Sequence, residues 1–240
     1  MRTQEGLSTA VANAIEFFKD SCDPHALLWL AVMHRRFGLS DFADALQRYD
    51  RLLIEQPEQA PLRRVLRRFA VRDNPLRPED WDAVTLQSDR LLVSALYCDR
   101  LGLPASFAEM LRKTASAGGY NLTHVLLTWC WVKDNGCALS LPEGFMDGVF
   151  RASAAIVNED PTMVSDLRLE AAAFLHLAGQ GALVDGAFVE RVIASQNGDG
   201  GWGHSRDRQA RSDWHSTVLG LLLLLLLKSH AGSAEVSRSR

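Results

Sequence analysis

The first 75 residues show apolar side chains at three- and four-residue spacing, for example across 11–17, 27–32 and 42–53. This spacing places them on one face of a helix, and strand patterns are almost absent. Asp23-Pro24 and Ser40-Asp41 can start helices, and Gly38 can end one. Along the whole chain the pattern predicts an all-helical protein with about ten to eleven helices.

A repeat runs through the remainder of the chain. The segments 107–120 and 188–202 each form an amphipathic helical pattern that ends in Gly-Gly-aromatic, and each precedes an apolar helix, 121–132 or 212–227. Two further apolar helices, 88–101 and 165–178, open with Ser-Asp, as does the one at 212. Repeats of this length indicate an architecture built from similar units.

Apolar helices that alternate with amphipathic ones predict two concentric layers, because a helix that is apolar nearly all round must be buried. We therefore expect an all-α fold of the α/α-toroid type, with an inner ring of apolar helices whose N-terminal ends share one face. A single domain should span 1–230, with divergent hairpins over 1–75 and recognisable repeats over 80–228. Residues 231–240 are polar enough to predict a disordered tail.

The segment Gln196-Asn-Gly-Asp-Gly-Gly-Trp202 resembles the Gln-x-x-x-Gly-x-Trp repeat of squalene and oxidosqualene cyclases and of protein prenyltransferase β subunits. The resemblance covers about 183–228, with a degenerate copy at 107–132. It implies that Gln196 and Trp202 brace the helices rather than take part in chemistry. The cyclase proton-donor motif Asp-x-Asp-Asp and an aspartate-rich diphosphate motif are absent from the sequence.

Ionisable residues recur at the starts of the four apolar helices. Asp166 and Glu170 are four apart and share a helical face, and His124 and His215 occupy corresponding positions in the two repeats. His215 also resembles the zinc-binding histidine of the prenyltransferase Asp-x-x-His-Thr helix start, with altered spacing. Imidazole and carboxylate groups suit zinc or iron(II). We predict that this metal is held by His124, Asp166, Glu170 and His215, with Asp213 and Glu170 as proton-moving groups.

Each of these residues also has a purely structural interpretation. The aspartates that follow serine, namely Asp89, Asp166 and Asp213, lie where helix caps are favoured. A histidine on an apolar helix is commonly a hydrogen-bonded core residue, and His176 is expected in the core or on the outer surface. His204 lies in a charged loop that could approach a ligand.

Composition and charge limit the classes of binding partner that are expected. The chain has 240 residues, 47% hydrophobic and 23% charged, with a formal net charge of -3, so nucleic-acid binding is not expected. The longest apolar run, 218–227, is about half of the roughly 20 residues that span a bilayer. One basic face follows Pro61, and it is interpreted as solvated or, alternatively, as a surface for an anionic ligand or partner. It consists of Arg63, Arg64, Arg67, Arg68 and Arg72.

Four cysteines, Cys22, Cys98, Cys130 and Cys137, are widely spaced, and the N-terminus lacks a signal-peptide pattern. A cytoplasmic location is therefore expected. Asn135-Gly136 should end the helix that contains Cys130 before it reaches Cys137.

These features predict a metal-dependent enzyme that acts on a small, partly apolar substrate by hydrolysis, elimination or group transfer. Two alternatives stay open. One is a metal-free isoprenoid cyclase or prenyltransferase-like protein. The other is a non-catalytic binding scaffold, in which the carboxylates and histidines simply pair with each other. The oligomeric state is left open.

Overall fold

The computed structural model describes residues 2–21, 23–160, 163–203 and 211–238, with side chains described between 5 and 230. Within these ranges the chain is helical and has no strand, apart from an isolated antiparallel bridge between Trp202 and Asp213. The helices are α1 (Arg2–Phe17), α2 (Pro24–Phe37), α3 (Ala45–Glu55), α4 (Ala60–Leu66), α5 (Pro78–Trp81), α6 (Gln87–Leu96), α7 (Cys98–Leu101), α8 (Phe107–Ser116), α9 (Gly119–Asp134), α10 (Phe145–Asn158), α11 (Asp166–Leu177), α12 (Gly186–Ala194) and α13 (Trp214–Arg238).

The all-helical prediction is confirmed, and the toroidal arrangement stays a prediction. The described residues contain more helices than the ten to eleven predicted, because two short helices of a single turn, α5 and α7, were not expected. The predicted helix 88–101 is in fact α6 followed by α7, with the break at Tyr97. Tyr97 is fully buried, and its hydroxyl group donates to the carbonyl of Val65 and accepts from Asn74, so its backbone is held by packing rather than by helix propensity.

The chain divides into two compact units, Met1–Ser21 with Phe150–Arg240, and Cys22–Val149. We call these the terminal unit and the central unit. The single domain expected over 1–230 stays a prediction. The N-terminal helix α1 packs on α12 and α13, so both ends of the chain contribute to the terminal unit.

The core of the terminal unit is the pair α11 and α13. The leucines of α13 from Leu221 to Leu226 are buried, as are the α11 residues Ala171, Ala172 and Ala173. The helix α13 continues to Arg238, into the segment for which a disordered tail was predicted. No proline interrupts this segment, and adding residues to an existing helix is much easier than starting one. None of the helices in the described ranges has the length and apolar character that a membrane crossing requires.

The turn that contains Gln196 and Trp202 joins three elements of the terminal unit. Gln196 Nε2 donates to the carbonyls of Ala10 in α1 and Gly200, at 2.8 Å each. The buried Trp202 indole donates to the carbonyl of Val192 in α12 at 2.8 Å. Its ring lies on Gly220 of α13, where an added Cβ would come within 2.7 Å of it. These contacts agree with the bracing role expected for Gln196 and Trp202.

The basic face after Pro61 is not simply solvated, which corrects the first interpretation of the sequence. Arg63 and Arg68 are buried, and three of the arginines are bound by acidic side chains. Helical periodicity shows that the arginines share a side of the chain, but it does not reveal which carboxylates lie opposite them. The ion pairs are Arg64 with Asp80, Arg67 with Asp50, and Arg68 with Asp99.

A disulfide bond links Cys98 of α7 to Cys137, just beyond α9, across a sequence separation of 39 residues. This pair was not expected, because the two cysteines are distant along the chain. As expected, α9 ends at Asp134, and Gly136 has a φ of 69° that favours glycine. Cys130 is a buried free thiol.

His176, near the end of α11, is a core residue, which is one of its two expected positions. Its ring packs against the backbone of Gly181, where an added Cβ would lie 2.3 Å from Nδ1. Burial, together with the nearby His230, lowers the pKa of His176 from 6.5 to about 4. The folded protein therefore resists protonation of this ring.

Replacement of both Cys98 and Cys137 by serine should lower the free energy of unfolding by about 2–4 kcal/mol, because the unfolded chain regains the freedom of the closed loop. Urea unfolding of the variant and of the oxidised wild-type protein measures the difference. Reductant should destabilise the wild-type protein to the same degree and leave the double variant unchanged. Equal midpoints for the oxidised wild type and the variant would show that the bond contributes nothing.

Acidification should destabilise the fold through His176. The unfolded chain takes up a proton near pH 6.5 and the folded chain only near 4, so stability is complete above pH 6.5 and is lost as pH falls through this window. The loss due to this residue between pH 8 and pH 5 is about 2 kcal/mol. His176→Phe, which keeps a ring of similar shape, should have a shallower pH dependence in urea unfolding. An unchanged slope between pH 8 and pH 5 would disprove the assignment.

Candidate metal centre

Two carboxylates lie on the buried side of α11. Asp166 is 3% exposed and Glu170 is 1% exposed, and the rest of this helix is mostly apolar. Their four-residue spacing places them one above the other, as the sequence predicts. Arg168, between them in sequence, donates to the carbonyls of Asp160 and Met163 and so ties the preceding segment to the start of α11.

The Trp202 turn positions the start of α13. The backbone amide of Asp213 donates to the carbonyl of Trp202 at 2.9 Å, and the backbone amide of Trp202 donates to Thr217 Oγ1 at 3.0 Å. These bonds hold the first turn of α13 against the Trp202 turn, and His215 in that first turn contacts Asp166 of α11. The Trp202 turn thereby also orients His215.

His215 lies between the two carboxylates. Its Nδ1 is 2.8 Å from Asp166 Oδ1, and its Nε2 is 3.6 Å from Glu170 Oε2. One ligand atom from each of Asp166, Glu170 and His215 lies within 4.8 Å of the others, so this group could hold a metal ion. The His215 side chain is 33% exposed, which makes it the part of the group that solvent reaches.

The electrostatic balance at His215 favours the charged imidazolium. Burial alone lowers its pKa, but the hydrogen bond to Asp166 and the negative charges of Asp166, Glu170 and Asp213 together raise the pKa above its usual value. The same negative charges would attract a metal ion, which would have to displace the proton because only the neutral imidazole is a ligand.

Asp213 and Ser216 lie next to the group formed by Asp166, Glu170 and His215. Asp213 Oδ1 accepts from the backbone amide of Ser216 at 2.8 Å, which is the helix-capping contact expected as the structural alternative for this residue. The buried Ser216 Oγ lies 2.9 Å from both Asp166 Oδ1 and Asp213 Oδ2. A hydroxyl group has one proton, so it can donate to only one of these carboxylates at a time. Sequence reasoning did not select Ser216, although it lies three residues after Asp213 in the same helix start.

The fourth predicted ligand, His124, lies on α9 in the central unit and is not one of the three grouped residues. It lies in the second turn of that helix, and it interacts with Asp89 near the start of α6. Burial raises the pKa of Asp89, while His25 and His124 act to lower it. A role for His124 as a metal ligand stays a prediction, and His204 lies outside the described residues.

Ser216→Ala should destabilise the protein by about 1–3 kcal/mol, because a buried carboxylate loses its hydrogen-bond donor. Urea unfolding measures the change. Ser229→Ala, the same substitution in an exposed part of α13, should change stability by less than about 0.5 kcal/mol. Equal effects of the two substitutions would mean that the Ser216 contacts do not contribute.

Comparison of the chain with protein-family models, with curated proteins and with solved structures gives no match. The resemblance to cyclases and prenyltransferases therefore still rests on the motif from Gln196 to Trp202.

Proposed function

We propose that this protein is a metal-dependent enzyme that binds zinc or iron(II) through Asp166, Glu170 and His215. The observation that supports the proposal best is the convergence of three ligand atoms within 4.8 Å, two of them on buried carboxylates. One imidazole and two carboxylates form a donor set that suits these ions.

The separation between His215 and Glu170 also fits a shared ion. Two ligand atoms of a tetrahedral zinc ion, each about 2.0–2.2 Å from the metal, lie about 3.4 Å apart. The His215 Nε2 to Glu170 Oε2 distance of 3.6 Å is close to this value and long for a direct hydrogen bond. Asp166 accepts from Nδ1 on the other side of the ring, so its carboxylate would have to turn from the ring to the ion to act as the third ligand.

In the proposed reaction, a bound ion would polarise a substrate carbonyl or lower the pKa of a bound water. Asp213 is the nearby group that would move a proton. Its oxygens accept hydrogen bonds from Ser216, and a carboxylate has further lone pairs with which to receive a proton. Hydrolysis, elimination and group transfer on a small, partly apolar molecule all fit this arrangement.

The competing function is a non-catalytic scaffold in which these groups only neutralise each other. The 2.8 Å contact between His215 and Asp166 is also what that alternative predicts. The two proposals differ in one measurable property, which is the affinity of the three residues for a metal ion.

The proposal predicts that protein stripped with chelator and dialysed against zinc will retain one ion per chain. Elemental analysis gives the stoichiometry, and the visible spectrum of the cobalt(II)-substituted protein reports its ligands. Glu170→Gln should weaken zinc binding by about 100-fold or more, because it removes a charged ligand rather than a supporting contact.

Glu190→Gln, the same substitution at an exposed position of α12, is the matched control and should bind zinc like the wild-type protein. His124→Gln tests the fourth predicted ligand. Absence of zinc and iron(II) binding, or equal binding by the Glu170 and Glu190 variants, would overturn the metal proposal and favour the scaffold.

The cytoplasmic location also stays a prediction. A disulfide such as Cys98–Cys137 is typical of oxidising compartments, whereas the cytoplasm keeps most thiols reduced. The oxidation state of these two cysteines in intact cells would test the expected location.

A further inference from the structure

The central unit contains a cavity of about 370 Å³ beside the end of α9. This volume lies within the range of small-molecule sites. Phe69, Leu96 and Trp131 provide apolar walls, and the Phe69 and Trp131 rings meet edge to face with centroids 4.8 Å apart. The polar lining consists of Arg35, Arg68, Arg72, Asp134 and Asn135.

Arg68 is the most deeply buried of these arginines. Its Nε donates to the carbonyl of Leu96 at 3.0 Å, and its Nη2 donates to both carboxylate oxygens of Asp99 at 2.8 and 2.6 Å. The remaining nitrogen, Nη1, is buried and has no hydrogen-bond partner within the described ranges. The side chain is 1% exposed, so bulk water does not compensate for the missing bond.

A second residue that lines the cavity, Trp131, also has a buried donor without an acceptor among the described residues. The indole Nε1 of Trp131 is buried and has no hydrogen-bond acceptor in the part of the chain that the structure describes. Buried polar groups are nearly always hydrogen-bonded in native proteins, so two such donors on one cavity require an explanation. Both atoms are enclosed by the cavity wall, so a ligand that carries an acceptor group would reach them after a small shift of the Arg68 and Trp131 side chains.

The charged residues around the cavity indicate the charge that a ligand should carry. Arg35, Arg68 and Arg72 line the cavity together with one carboxylate, that of Asp134. Arg68 is also paired with Asp99, which lies outside the lining, so the lining carries a net positive charge. Arg35 also donates to the carbonyl of Ala70 at 2.7 Å, which fixes its position. Burial lowers the pKa of Arg35, and the positive charges of Arg36 and Arg72 lower it further, whereas Asp134 raises it. A net positive lining suits a ligand that carries a negative charge.

From this geometry we propose that the cavity binds a small carboxylate with an apolar, ring-containing body. The carboxylate would accept hydrogen bonds from Arg68 Nη1 and Trp131 Nε1, with Arg72 adding charge attraction at the exposed side. Phe69, Leu96 and Trp131 would cover the body of the ligand. The proposal concerns only the central unit and is independent of the metal centre.

Benzoate is a suitable probe, because it joins one carboxylate to one ring. Titration followed by calorimetry and by the indole N–H signals in NMR should show saturable binding. The signal that disappears in Trp131→Phe identifies Trp131, and it should shift as benzoate binds. Benzamide has the same shape without the charge, and inorganic phosphate has charge without a ring, so both should bind at least about 10-fold more weakly than benzoate.

Two variants test the residues. Trp131→Phe should weaken benzoate binding by about 10-fold, through loss of a hydrogen bond to a charged group. Arg72→Gln is at an exposed position that should not disturb folding, and it should weaken binding by about 3-fold. Arg112→Gln, on the exposed side of α8, is the matched control and should have no effect.

Three results would overturn the proposal. The first is the absence of benzoate binding up to millimolar concentrations. The second is equal affinity for benzoate and benzamide, which would indicate an apolar pocket without recognition of the carboxylate. The third is binding that is unchanged in both Trp131→Phe and Arg72→Gln, which would place benzoate elsewhere on the protein.

Discussion

Two buried carboxylates on α11 impose the main physical constraint on the terminal unit. An ionised carboxylate removed from water without a partner costs many kcal/mol, so Asp166 and Glu170 require positive charge or hydrogen-bond donors close by. His215 supplies both, because it faces each of them with one ring nitrogen. The start of α13 must therefore lie beside α11, and hydrogen bonds to the Trp202 turn fix the conformation of this start. Packing and electrostatics in this unit depend on the same few hydrogen bonds.

The sequence predicted those parts of the site that depend on spacing within one helix. Asp166 and Glu170 share a face because they are four residues apart, and His215 follows a recognisable helix start. Ser216 was missed because its role depends on Asp166, which is 50 residues away. His124 was expected at the place that corresponds to His215, yet it is the sixth residue of α9 whereas His215 is the second of α13. Similarity between repeats does not determine which groups come into contact.

The central unit illustrates the limits of periodicity more clearly. The arginines that follow Pro61 were expected to be solvated, but most of them are bound by aspartates from distant segments. The helix from 88 to 101 breaks at Tyr97, where hydrogen bonds to Asn74 and Val65 outweigh local propensity. The cysteine pair was likewise hidden by its separation along the chain. In each case the structure depends on a contact between residues of different helices. The spacing of residues along one sequence does not reveal such contacts.

The covalent link between Cys98 and Cys137 has a consequence for the neighbouring cavity. Leu96 and Asn135, which line that cavity, lie within two residues of these cysteines, and Asn135 Nδ2 donates to the carbonyls of Ala95 and Leu96. The wall is therefore preorganised by a covalent bond and by hydrogen bonds that exist before any molecule enters. Binding to such a wall requires little loss of conformational entropy from the protein, so even a small ligand with few contacts can be held.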